Sequence, residues 1–209
     1  MQKRSRHLTG RALLIMLNAQ ATTQMHDDAT RLWHRQAAPT LGEDEFLRLA
    51  LAQHRANYDL WHEEDAARSL DVSDATIASV KHAIDSINQR RNDLVEQIDA
   101  YLLEEAGPQN EAAPLNSESP GLIVDRLSIL ALKIYHTDEE AHRNSADDTH
   151  RARNLSRLQV LLQQRLDLAA CLDALWSEVR AGRRRFRLYR QMKMYNDPEL
   201  NPVLYGRGH

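Results

Sequence analysis

The stretch Gly-Leu-Ile-Val-Asp-Arg-Leu-Ser-Ile-Leu-Ala-Leu-Lys-Ile-Tyr-His ending at His136 carries apolar residues on every face of a helix, yet charges interrupt it. A helix apolar all round is one surrounded by protein, so its charges call for an explanation. Arg126, Ile129, Lys133 and His136 follow at intervals of three and four, which places two cations and an imidazole on one face, with Asp125 and Ser128 beside them. An unpaired charge in such a place costs several kcal/mol, so acids on other helices are required as partners. Two segments offer them: His62-Glu63-Glu64-Asp65, followed by Arg68, and a polar stripe of Asp85, Asn88, Asn92, Glu96 and Asp99, with Asp93 and Arg91 alongside.

Two readings of this cluster differ in consequence. In the first, it is an ion-pair network that fixes helix register. In the second, it is a polar cavity for an anionic ligand such as a phosphorylated or nucleotide-linked metabolite. Arg126, Lys133 and Arg91 would then be the anion contacts, Arg68, Asn88, Asn92, Asp93 and Asp125 would complete the polar lining, and His62, Glu64 and His136 would be the candidates for proton transfer.

Metal chemistry finds weaker support, and no residue is assigned as a metal ligand. Asp59 with His62, Glu139 with His142 and Asp147 with His150 have the acid-x-x-His spacing of di-iron carboxylate bundles. Ten His and 30 acids in 209 residues give about 1.4 such pairs by chance, so three are little excess and di-iron is disfavoured. An all-α nucleotide pyrophosphohydrolase, with carboxylates holding Mg²⁺ against a diphosphate, is a further alternative. Glu63 and Glu64 with Glu96 and Asp99 loosely resemble its acidic clusters without matching their full spacing.

Five helices must position these residues. The first spans about Arg11 to Gln36 and stops before Pro39; the second spans Glu43 to Arg68, where Ala50, Gln53, Asn57, Trp61 and Glu64 make a partly polar inner stripe. Ser73 is the expected N-cap of the third, whose Ile77, Val80, Ile84, Ile87, Leu94, Ile98 and Leu102 keep a three-four repeat until Gly107-Pro108. Ser119 caps the fourth with Pro120 at its first position, and the fifth runs from about Ala146 to Ala181, closed by Gly182. Beyond it, Phe186, Leu188, Met192 and Met194 alternate with polar residues, the period of an extended chain. The expectation is an all-α bundle over 11–182 in one domain of 1–209, with a basic tail or lid from 183 that packs back on it.

Composition agrees: 42% hydrophobic and 27% charged residues with 7 Gly and 6 Pro favour helices over turn-rich β structure. The net charge of -3 is polarised, since Arg180 to Lys193 contains seven cations and no acid. The acidic remainder argues for a tail docked on the bundle over one that binds nucleic acid specifically. Ala12 to Leu17 is too short an apolar run for export or spanning, so no transmembrane segment and a cytoplasmic location are expected. Cys171, the single cysteine, permits no intrachain disulfide and reads as a small buried hydrophobe.

Several phrases resemble a known bacterial family, the domain of unknown function 4254. They are Leu-Trp-His-Glu-Glu-Asp-Ala-Ala-Arg68, Ile-Asn-Gln-Arg-Arg-Asn-Asp93 with Glu96 and Asp99, Asn-Ser-Glu-Ser-Pro-Gly121, Asp-Arg-Leu-Ser-Ile-Leu-Ala-Leu-Lys-Ile-Tyr-His136 and Tyr-Arg-Gln-Met-Lys-Met-Tyr-Asn-Asp-Pro198. Ser119 stands where that family usually has Thr, which leaves the cap chemistry intact. The resemblance implies no catalytic mechanism. It implies a role in cell-surface glycan assembly, with a glycosyltransferase of the heptosyltransferase type as partner or a sugar phosphate as ligand. It also implies that Asn196 and Asp197 belong to a tail closing over the site.

Overall fold

The computed structural model describes residues 17–40, 42–68 and 73–190. Five α-helices account for most of them: α1 (Ala19–His34), α2 (Glu45–Ala67), α3 (Asp74–Ala106), α4 (Pro120–Ala141) and α5 (Asp148–Arg180). No β-strand occurs among the described residues; a lone parallel bridge joins Leu115 to Arg185.

The helix ends are set locally. Asn18, Asp44, Ser73, Ser119 and Asp147 each turn a side-chain oxygen back onto the amide three residues on, satisfying donors that the first turn leaves open. Pro120 opens α4 at a position where a missing N–H is harmless. Gly107 and Gly182 follow α3 and α5 with φ of +67°, a left-handed turn that a side chain would strain. The start of the first helix expected near Arg11 lies outside the described residues, and the described helix starts where Asn18 caps it.

Helix α4 contacts all four of the others, as its apolar sequence requires; α2 packs mainly on α3 and α4 mainly on α5. The apolar core collects toward one end of this arrangement: Phe46 and Ala50 of α2, Ile98 and Leu102 of α3, Ile123, Val124 and Leu127 of α4, and Leu168, Leu172, Leu175 and Trp176 of α5. Phe186 of the following segment joins them at 1% exposure. The helix turns farther along carry polar and aromatic groups instead, which is where the chemistry lies. The stripe of α3 is less uniform than its repeat suggests: Ile77 is 43% exposed and no described residue of α3 before Val95 is fully buried.

The segment 183–190 packs back on the α3–α4 connection. Arg185 N donates to the Pro114 carbonyl at 3.1 Å, Asn116 N to the Arg185 carbonyl at 2.7 Å, and the Gln109 amide both donates to and accepts from the Phe186 backbone. Residues 191–209, including Asn196 and Asp197, lie outside the described residues.

Candidate functional site

Helix α4 turns Asp125 inward and Arg126 outward, and the site follows from that choice. Asp125 is 5% exposed, and its carboxylate receives Arg91 of α3 in a two-pronged pair at 2.7 and 2.5 Å. Gln53 and Asn57 of α2 also donate to it, at 2.5 and 3.0 Å. Asn57 reaches Ser128 Oγ at 2.9 Å, and Ser128 meets His54 Nδ1 at 2.7 Å. The far side of the His54 ring lies 2.9 Å from Thr30 Oγ1 and 3.0 Å from the His26 carbonyl. A continuous polar thread therefore crosses the protein from α3 to α1. Burial lowers the His54 pKa to about 3 and holds His26 well below the ordinary imidazole value, so both rings are neutral at physiological pH. Ser128 and His54 resemble a nucleophile and base by distance, but both are 0% exposed and no substrate reaches them.

The pairing expected for α4 is therefore inverted. Arg126 and Lys133 do not pair with the acids of α2 and α3; the acid of α4 pairs with the cation of α3. Arg126, 57% exposed, pairs with Glu118 of the preceding loop at 2.8 Å, and Lys133 is exposed with no acid at ion-pair distance among the described residues. The reason is angular. Successive residues sit about 100° apart around a helix, so burying Asp125 between α2 and α3 swings Arg126 to the surface.

The stripe Arg126, Ile129, Lys133, His136 thus forms a ridge on an open depression, with cavities along it. One, of about 590 Å³ between α4 and α5, is lined by Trp61, Lys133, His136, Glu140, Arg157 and Gln164. A second, of about 630 Å³, continues from Lys133 and Gln164 toward Arg126, Glu118 and Asp167. Cys171 lines it and is exposed, against the expectation of a buried thiol. A third, of about 260 Å³, lies where Asn57, Trp61, Glu64, Arg68, Arg91 and Ile129 meet. Trp61 and Ile129 each belong to two of the three.

Aromatic and imidazole rings close one end of the depression. Trp61 stacks on His136 with centroids 4.9 Å apart and planes 9° apart, and His34 stacks on Tyr135 at 4.3 Å. His62 Nδ1 donates to the Tyr58 carbonyl, 2.9 Å away, and its ring lies 5.4 Å from His34 and 6.2 Å from His136. Desolvation lowers the His136 pKa, against the raising effect of Glu139 at 3.1 Å. The Nε2 atoms of His34 and His136 are buried without a partner.

The remaining residues singled out from the sequence divide between these places. Glu64 and Arg68 pair with each other at 3.1 Å at the mouth of the third cavity. Asn92 lines a separate pocket with Arg91, Glu96, Asp99, Ser119, Asp125 and Tyr189. Asn88 is half-buried on α3, and Asp93 faces solvent, where Gln89 donates to it at 2.7 Å. Glu64 and Asp99 line different cavities, so the acidic cluster of a pyrophosphohydrolase is not assembled. Among the described residues no three His, Cys, Asp or Glu side chains are grouped to hold a metal ion. None of the described helices is long and apolar enough to cross a membrane.

Sequence reasoning missed the α1 contribution, His26 and Thr30, and the roles of Ser119 and Tyr189. The spacing of His26, Thr30 and His34 at intervals of four was the available signal for α1. Comparison with curated proteins gives no match, and comparison with solved structures gives none. The family model described as a protein of unknown function, DUF4254, matches residues 47–188, most of the chain and nearly all of the site, and the chain belongs to that family.

Proposed function

We propose that this protein binds a phosphorylated sugar or sugar nucleotide in the depression over α4 and serves cell-surface glycan assembly in the bacterial cytoplasm, the whole chain acting as one domain. Lys133 carries the reading. Each other cation of the inner rim is neutralised: Arg91 by Asp125, Arg126 by Glu118, Arg68 by Glu64 and Asp65. Lys133 stands at the junction of the two larger cavities with no acid at ion-pair distance among the described residues, and Arg157 stands across the groove in the same condition. A phosphate there gains charge-assisted hydrogen bonds without displacing a carboxylate. The flat Trp61–His136 pair offers a face for a ring, base or sugar, beside those cations.

Thermal shift with a panel of sugar phosphates and nucleotide sugars tests this. At least one ligand should raise the melting temperature, and Lys133→Ala should weaken its binding about tenfold or more while leaving the unliganded melting temperature unchanged. Unchanged affinity in Lys133→Ala, or no shift by any member of the panel, overturns the proposal. A second reading, an accessory protein that docks on a glycosyltransferase, draws on Leu155 and Leu166 of α5, which are 42% and 64% exposed.

A further inference from the structure

Three imidazoles, one each from α1, α2 and α4, meet at the ring-lined end of the depression, and each is tethered through the same ring atom. His34 Nδ1 lies 2.8 Å from the Thr30 carbonyl, His62 Nδ1 2.9 Å from the Tyr58 carbonyl and His136 Nδ1 3.1 Å from Glu139 Oε2. Carbonyl and carboxylate oxygens only accept, so each Nδ1 carries the hydrogen and each neutral ring presents Nε2 as a lone pair. Two of these lone pairs, on His34 and His136, are buried without a partner. Their rings meet edge to face with centroids 5.1 Å apart.

Two acceptors cannot bond to each other, so the neutral pair leaves both nitrogens unsatisfied and desolvated. One proton removes the conflict: it makes one Nε2 a donor and leaves the other as its acceptor. A second proton would restore the conflict and set like charges in one ring contact. Among the described residues no third ligand joins the pair to hold a metal ion, so a proton is the cation that fits. The neighbours assign it to His136. Glu139 is a counter-ion for that ring, whereas His34 has a neutral carbonyl. From α1, Arg35 acts on the adjacent Tyr135; from α2, Trp61 stacks on His136 and His62 stands 6.2 Å away. Lys133 and Glu140 of α4 and Arg157 of α5 line the same cavity as His136, and Glu140 is already matched by Arg143 and His150. Desolvation lowers the His136 pKa, Glu139 opposes it, and His34 and His62 add to the lowering. An anion in the cavity supplies the charge that favours protonation.

We infer that His34 and His136 share a single proton, and that this proton sets the charge of the cavity lined by Lys133, so that an anion enters there together with a proton. The first half rests on the ring geometry alone, and the second rests on the anion reading of the depression. At high pH the wall beside Lys133 is a neutral, unsatisfied imidazole pair. At lower pH it is a cation that ties α1 to α4, and an anion gains a second charged partner. The coupling is reciprocal: an anion that prefers the protonated pair must also strengthen its hold on the proton.

Histidine ¹⁵N NMR titration of the full chain from about pH 8 to about pH 4.5, in chloride and then in sulfate, tests this, because sulfate itself does not titrate in that range. In chloride the two rings should together take up one proton. His34→Phe keeps a ring on Tyr135 and removes the acceptor, so it should lower the His136 pKa by about one unit, the worth of a hydrogen bond to a charged group. If His34 acted only as a neighbouring charge, the same variant would raise it. In sulfate, His136 should titrate at higher pH in the wild type and as in chloride in Lys133→Ala. Independent uptake of two protons by the two rings, or a His136 pKa unchanged or raised in His34→Phe, overturns the shared proton; the wild-type count holds even if that variant fails to fold. A pair that takes one proton without responding to sulfate overturns its coupling to the cavity. Lys133→Ala should leave the chloride titration intact, which separates failure of the anion site from failure of the pair.

Discussion

Asp99→Asn should remove a pH dependence of stability that runs opposite to the usual behaviour of a carboxylate. Asp99 is buried at 2% exposure under the first turn of α4. Desolvation raises its pKa from the ordinary carboxylate value of 3.8 to about 6, outweighing the Ser119 and Gly121 hydrogen bonds that lower it. The folded state therefore holds the proton more tightly than the unfolded chain. Where folding favours the protonated form, the stabilisation is complete below the unfolded pKa and is lost as pH rises through the folded one. The window is about pH 4 to 6, and a shift of about two units amounts to roughly 3 kcal/mol. Urea unfolding of wild type and Asp99→Asn across pH 4 to 7.5 measures it, because other titrating groups cancel in the difference. The wild type should lose about 3 kcal/mol relative to the variant as pH rises, over a constant offset of about 1 kcal/mol from the rearranged Ser119 bond. A difference independent of pH refutes the argument. One that grows with pH would mean that the Ser119 and Gly121 bonds outweigh desolvation and that the carboxylate is stabilised by the fold.

Two further perturbations test the framework of the site. Arg91→Ala strips the cation from Asp125, whose side chain is 8% exposed, and should cost about 3 to 5 kcal/mol by chemical denaturation. Arg126→Ala breaks the exposed pair with Glu118 and should cost under about 1 kcal/mol; equal costs would contradict the assignment of Asp125 as the buried charge. Gly121→Ala places a Cβ 2.7 Å from the Val95 carbonyl oxygen and 2.8 Å from Asp99 Oδ1, so α3 and α4 must separate. A loss of about 1 to 3 kcal/mol is expected, against none for Gly42→Ala, where no atom lies within 4 Å.

The five helices, most of their ends and the return of residues 183–190 were legible because each rests on local chemistry; the start of α1 was not, since the helix begins at Ala19 after the Asn18 cap rather than running through residues 17 and 18. Ser73, Ser119 and Pro120 act within one turn of themselves, and the left-handed turns at Gly107 and Gly182 need no distant partner. The partly polar stripe of α2 was legible as well, and Gln53 and Asn57 do face the site. What sequence could not decide was which side of α4 is buried. A helix with apolar residues all round has no preferred azimuth in its own pattern, so Asp125 and Arg126 were equivalent until α2 and α3 packed against it. The close seat of Gly121 on Val95 and Asp99 turns α4 so that Asp125 meets Arg91 and the Arg126 stripe is left outside. A periodic sequence specifies that a helix forms and how long it is; the rotation that chooses its buried charge comes from the side chains of its neighbours.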